Sequence, residues 1–325
     1  MKFWIVTPSY NQLEWLKLCV RSVADQITDG VKSEDLGVKQ QNNLILNTEN
    51  LNLGLCEPIR VHHHIQDACS TDGTREFLAE HLANSSKLKV NGYTFSYESA
   101  PDDGMYDAIN RGWKRAADDV DVVAHLNCDE QYLPDALQTI ASCFSQNQSA
   151  DVILADMIVT DDVGEYICHR RALKPYAFIS RFWCAGFTAA SFYRLSVTKT
   201  KNVYFDISWK NIGDKVWFNA LHQANCRFKV CNEIVSTFAD TGDNLNWTEQ
   251  GRQEGLRYMK EYLSFMHERM GLLKLLSRIN SVRRFFKDMV CNSPDHYSVY
   301  LNASDGRVTK LVETPSVKWN KKAWN

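Results

Sequence analysis

Asp121-Val122-Val123-Ala124-His125-Leu126-Asn127-Cys128-Asp129-Glu130 is a short apolar run that breaks off into three oxygen-bearing side chains, Asn127, Asp129 and Glu130. Its valine-rich first half predicts a buried strand. In an open α/β sheet, ligands bind beyond the carboxyl ends of the strands. Carboxylates gathered there suit a hard divalent cation, which prefers oxygen ligands and bridges to phosphate oxygens. The competing reading is an acidic turn capping the helix that starts near Pro134.

The sequence on either side decides which kind of sheet this strand joins. Upstream, residues 3–7 read as a buried strand, and Pro8-Ser9-Tyr10-Asn11 as the turn that follows. Leu13, Leu16, Cys19, Val20 and Val23 recur at helical spacing over residues 13–26. The polar stretch from residue 28 to residue 58 reads as an inserted loop. A strand resumes over residues 60–66 and ends in Asp67-Ala68-Cys69-Ser70-Thr71-Asp72-Gly73-Thr74, whose Ser70, Thr71 and Asp72 are all suited to cap a helix over residues 75–82. A third strand over residues 93–99 turns through Pro101-Asp102-Asp103-Gly104 into a helix over residues 105–117. Strand and helix alternate, which predicts a mostly parallel sheet flanked by helices.

Downstream the pattern is mixed. Strands are expected over residues 152–159, 166–171, 227–230 and 235–239, and a helix over residues 214–223. Helical spacing returns from about residue 248, and the chain closes with a hairpin across Asp305-Gly306.

Composition narrows the class. The chain has 325 residues with 44% hydrophobic and 23% charged side chains, an ordinary globular balance. A net charge of −2 gives no reason to expect nucleic acid as a partner. No run of about 18 apolar residues or signal-like start is present, and the ten cysteines lack CxxC spacing, so a cytoplasmic protein with reduced thiols is expected. His62-His63-His64 invites a metal, but alternate strand side chains face opposite ways and no second ligand cluster supports one.

Four segments in order resemble glycosyltransferase family 2, whose fold is called GT-A. They are Thr7 to Asn11, Asp67 to Thr74, Pro101-Asp102-Asp103-Gly104-Met105-Tyr106-Asp107-Ala108-Ile109-Asn110-Arg111-Gly112, and Leu126 to Glu130, the last lying where the family carries its metal-binding Asp-x-Asp. Phe192-Tyr193-Arg194, Phe205-Asp206 and Gly213-Asp214 with Trp217 resemble the stretch bearing the family's catalytic base.

The resemblance implies a Rossmann-like, mostly parallel central sheet flanked by helices. Residues 1–250 would form the transferase domain, with 1–130 as the nucleotide-binding half and 131–250 as the acceptor half. Residues 251–325 would form a helical and hairpin extension.

The same resemblance implies metal-dependent, inverting transfer of a sugar from a nucleotide-diphosphate sugar, with UDP-sugars the family habit, to a glycan or lipid-linked acceptor in glycan or surface polysaccharide biosynthesis. By it, Asp129 holds Mn²⁺ or Mg²⁺ and Asp214 is the base that deprotonates the acceptor hydroxyl. Asp67 and Asp102 hold the base and ribose, and Pro8 and Tyr10 line the base pocket. Asn11, Asp72 and Asn127 complete the nucleotide site. Asn110, on one helix face with Asp107, is expected to tie its helix to the metal loop.

The sequence also departs from the family pattern. Asn127 and Glu130 stand where aspartates are common, leaving Glu130 free to face the acceptor. Asp103 replaces a frequent lysine. Residues 238–243 carry no histidine or arginine, so Arg111, Arg181 and Arg194 are the candidates to assist the diphosphate. These departures keep a non-catalytic relative that binds sugar nucleotides or carbohydrate in view. A nucleotidyltransferase is disfavoured, since no glycine- and lysine-rich phosphate loop follows the first strand. The basic, leucine-rich segment from Gly271 to Met289 is read either as a helix with its basic face in water or as a peripheral contact with the inner face of a membrane.

Overall fold

The computed structural model describes residues 1–27, 58–88, 92–242, 248–264 and 270–319; the inserted loop expected after residue 27 lies almost wholly outside them. The first half alternates as expected: β1 (Lys2–Ser9), α1 (Leu13–Ala24), β2 (Arg60–Asp67), α2 (Thr74–Leu88), β3 (Tyr93–Ser99), α3 (Met105–Lys114) and β4 (Val122–His125). Then follow β5 (Glu130–Tyr132), α4 (Ala136–Gln146), β6 (Val152–Thr160), β7 (Tyr166–Arg170), α5 (Ala177–Ser180), β8 (Ser191–Arg194), α6 (Leu195–Lys199), α7 (Gly213–Gln223), β9 (Phe228–Ala239), α8 (Glu249–Tyr262), α9 (Met270–Val290), β10 (His296–Val299) and β11 (Val308–Leu311).

The main sheet runs β3-β2-β1-β4-β8-β6-β9-β5, with β7 paired to β6. Its first four strands are parallel, so the carboxyl ends of β1, β2 and β4 emerge along one edge. Period-two alternation in β1 builds two cores. Phe3 and Ile5 face one side, with Leu137, Ile140 and Phe144 of α4. Trp4 and Val6 face the other, with Trp113 of α3 and Trp217 of α7.

Close packing of α3 on β1 depends on Gly112. A Cβ there would lie 2.5 Å from Val6 Cγ1 and 2.7 Å from its Cγ2, while the Gly112 carbonyl accepts the Trp4 indole N–H at 3.0 Å. Alanine would add roughly 1 kcal/mol of helix propensity, but the branched Val6 cannot swing away, and overpacking costs about 1–3 kcal/mol. Gly112→Ala is therefore expected to lower the denaturant midpoint. An unchanged or raised midpoint would show that the helix can shift.

Tertiary pairing explains three features of the chain. The two strands expected over residues 227–239 are one strand, β9, with its register against β6 shifted between Leu154 and Asp156. His62 and His64, at which no metal was expected, both bond to Ser96 Oγ, at 2.7 and 2.8 Å, and stack on Trp4. Of the basic residues of α9, Lys287 is drawn inward, while Lys274 and Arg278 stay exposed. Asp156, fully buried, accepts Ala172 N–H at 2.7 Å and pairs with Arg171 at 2.9 Å and Lys287 at 3.1 Å. Arg283 donates to the Lys174 carbonyl at 2.5 Å, and Asp288 lies 3.1 Å from His169 Nε2. A buried carboxylate with no cation would be costly, so α9 turns Lys287 inward to Asp156.

Candidate active site

The ends of β1 and β4 open into a cleft of about 1000 Å³. Its wall includes Pro8 at the end of β1 and Tyr10 just after it, Asp102 before α3, Asn127, Asp129 and Glu130 after β4, and Asp214 at the start of α7.

The loop after β4 is shaped by Glu130. Its carboxylate turns back to accept Asn127 N–H at 2.7 Å and Asn127 Nδ2 at 3.2 Å. Glu130 lines the cleft while each of its oxygens accepts a bond from the loop it closes. Burial, with the Asp129 charge second, raises its pKa, and burial also raises that of Asp129.

Asn127 Oδ1 is buried and has no hydrogen-bond partner among the described residues. It sits on the same cleft as Asp129, so the pair presents an orphaned amide oxygen and a carboxylate together. That donor set fits a hard divalent cation, which needs only one or two carboxylates when water and phosphate complete its shell. Among the described residues no three His, Cys, Asp or Glu side chains converge as a ready-made metal cage.

Asp214 is positioned from three sides. Its own N–H donates to Tyr106 Oη at 3.2 Å, and its Oδ1 accepts Lys215 N–H at 2.7 Å. Gly213 lies so close over the Tyr106 ring that a Cβ would meet it at 2.5 Å. Glu254 of α8 gathers the loop in front, accepting the N–H groups of Lys210, Asn211 and Ile212 at 2.7, 2.9 and 3.2 Å. Nothing in the sequence around Glu254 announced this clamp. Burial raises the Asp214 carboxyl pKa, opposed by the Lys215 N–H and ammonium.

Other expected residues sit behind the cleft wall. Asp67 is buried and accepts from Ser70 N–H at 3.1 Å and from the Ser70 and Ser99 hydroxyls. Asn11 bridges two loops, its Oδ1 accepting Thr71 N–H at 2.8 Å. Asp72 accepts Leu13 N–H at 2.9 Å and Thr74 N–H at 3.2 Å, and so caps two helix starts. Asn110 clamps Phe205, donating to its carbonyl at 2.8 Å and accepting its N–H at 3.0 Å, and Asp107 pairs with Arg111 at 2.7 Å. The expected tie to the metal loop is thus replaced by a tie to the segment that leads into α7. Only Asp102 of the nucleotide carboxylates borders the cleft, its Oδ1 accepting Gly104 N–H at 2.9 Å while burial raises its pKa.

No lysine or arginine is among the described residues lining the cleft. Arg111 bonds to the Pro101 carbonyl at 2.7 Å, and Arg194 stacks on Phe144. The sequence reading missed the far wall, formed by Cys184, Phe187, Asp240 and Trp319. The Trp319 indole donates to Asp240 Oδ2 at 2.9 Å, a contact spanning 79 residues that no local pattern signals.

This sheet, with its carboxylate-lined cleft at the strand ends, defines a nucleotide-sugar-binding type of α/β fold. The chain belongs to glycosyl transferase family 2, whose model matches residues 49–234. Among solved structures it resembles TarS 1-349 of S. aureus in complex with UDP-GlcNAc, at 17% identity and a TM-score of 0.50, over 76% of this chain and 61% of that one. It also resembles the mannosyltransferase PcManGT from Pyrobaculum calidifontis in complex with GDP-Man and Mn²⁺, at 10% identity and a TM-score of 0.50, over 81% of this chain and 64% of that one. The chain thus spans less than two thirds of either relative. These likenesses show a curled central sheet with flanking helices, as in the GT-A glycosyltransferases. No curated protein matches the chain.

Proposed function

We propose that the chain transfers a sugar, with inversion, from a nucleotide-diphosphate sugar to an acceptor hydroxyl. The observation that carries this reading is the placement of Asp129 with the orphaned Asn127 oxygen on the same cleft as the buried-side Asp214. Asp129 and Asn127 would hold Mn²⁺ or Mg²⁺, and Asp102 would accept a hydroxyl of the ribose. A bound cation supplies the positive charge that a departing nucleoside diphosphate needs. The acidic cleft makes that charge necessary, because no basic side chain among its described residues offers one.

Asp214 then takes the proton of the acceptor hydroxyl as that oxygen attacks the anomeric carbon from the face opposite the diphosphate. Its raised pKa makes it a better proton acceptor than an exposed aspartate. The Tyr106, Lys215 and Glu254 contacts hold it in place for that step.

We take the donor to be a UDP-sugar, a choice supported by the UDP-GlcNAc of the TarS complex, with GDP-Man in the second relative as the alternative base. The acceptor on this reading is a glycan or a lipid-linked saccharide, the setting polysaccharide biosynthesis, and the location cytoplasmic with peripheral membrane contact. Residues 1–250 form the transferase domain in this scheme and 251–325 an extension.

A panel of nucleotide sugars screened by thermal shift tests it. One donor is expected to raise the melting temperature by a few degrees with Mn²⁺ present and much less without, since saturating ligand adds about 2–4 kcal/mol to stability. A panel in which no nucleotide sugar shifts the transition, with or without the cation, overturns the reading.

A further inference from the structure

The helix α9 is inside out. Its inward seam carries Asn280, Arg284, Lys287 and Asp288 beside the buried Leu276, with Lys287 and Asp288 bonded to the domain beneath. Its outward face carries Leu275, Ile279, Val282, Phe286, Met289 and Val290, all exposed, with Phe286 at 56%, Met289 at 65% and Val290 at 82%. The first five recur at steps of four, three, four and three, which is one continuous stripe of a helix. A surface helix of a globular domain has the opposite arrangement. Large contiguous apolar surface of this kind marks a contact with something else.

The surroundings say what that is. Tyr176 and Phe178, also exposed, extend the patch, since the Arg283 guanidinium lies over the Tyr176 ring at 4.8 Å. Lys274 and Arg278 are exposed along one flank of the stripe, and Lys174 with Arg283 marks the other. The only acidic side chain of the helix, Asp288, is turned to His169 and Arg171. An apolar stripe between two positive rims matches the boundary between anionic headgroups and acyl chains. A symmetric pair of copies would set like rims against each other, which is unfavourable. No helix among the described residues is long and apolar enough to cross a membrane, so contact must be made in the plane of the surface.

We propose that this outward face of α9 docks on an anionic lipid surface, apolar stripe inserted and basic rims at the headgroups.

Flotation of the full chain with phosphatidylcholine vesicles, alone or mixed with phosphatidylglycerol, tests this directly. The chain is expected to float with the anionic vesicles, less so as salt rises. The Phe286→Ser, Met289→Ser double variant should bind roughly tenfold or more weakly, from the apolar area lost. Lys274→Gln with Arg278→Gln should erase the preference for the anionic mixture. Melting temperature and circular dichroism check each fold, and Leu275→Ser with Val290→Ser serves if the first pair fails to fold. Absence of flotation, equal flotation of wild type and stripe variants, or a dimer in ultracentrifugation that the stripe variants dissolve would each overturn the proposal. No sugar nucleotide enters this readout, so its failure leaves the transferase reading standing, and the reverse holds too.

Discussion

Asp214→Asn is expected to lower turnover by about two to four orders of magnitude, the usual contribution of a positioned general base, while donor affinity stays unchanged. The amide is nearly isosteric and its oxygen can still accept the Lys215 N–H that Asp214 Oδ1 now accepts at 2.7 Å. Tyr106, Gly213 and Glu254 keep their contacts with the backbone, so the start of α7 holds its place and the melting temperature should barely move. What is lost is the ability to take a proton. The effect should therefore fall on kcat and kcat/KM together, with little change in the donor dissociation constant measured by titration.

The pH profile supplies a second signature. Burial raises the Asp214 pKa, so the carboxylate form, which is the base, is complete only at a pH above the ordinary range near 4. Activity of the wild type should fall as pH drops through that raised value, and the limb should vanish from the residual activity of Asp214→Asn. Turnover within a few-fold of wild type would remove Asp214 from the chemistry.

How far the sequence carries depends on whether the signal is local. β1, α1, β2, β3, α3 and β4 were legible because each is an apolar run or an apolar stripe punctuated by turn residues. β5 was not: Glu130, Gln131 and Tyr132 are held as a strand by pairing with Phe238, Thr237 and Ser236, more than a hundred residues on. β9 read as two strands because the irregular pairing around Asn232-Glu233 breaks the apolar pattern. In the site, Asp129, Asp102 and Asp214 were named in advance and share one cleft. Asp67 and Asn110 were named for the nucleotide, yet their side chains are engaged by neighbouring loops. Glu254 and Trp319 could not be found at all, since their partners are fixed by how α8 and the chain's end fold back. The orientation of α9 shows the limit most clearly. A basic residue is read as solvent-facing by default, and only the buried Asp156 explains why Lys287 turns inward.

Asp129→Asn is expected to act in two opposite directions. Without a divalent cation the variant should be more stable than wild type, by roughly 1–3 kcal/mol at neutral pH, because a charge held out of water beside Glu130 is removed. The raised pKa of both carboxyls, with burial as the leading cause, reports that cost. Mn²⁺ should then stabilise the wild type and leave the variant unmoved, since the amide that replaces Asp129 and the orphaned Asn127 Oδ1 offer two neutral oxygens and no negative charge. Titrating Mn²⁺ in a thermal-shift assay without donor reads this directly, separate from turnover. With donor present, turnover should fall by at least two orders of magnitude, because the acidic cleft then has nothing to offset a diphosphate. A variant that still gains stability from Mn²⁺ as the wild type does would place the cation elsewhere, and one less stable than wild type without metal would mean that Asp129 serves the fold of its loop instead.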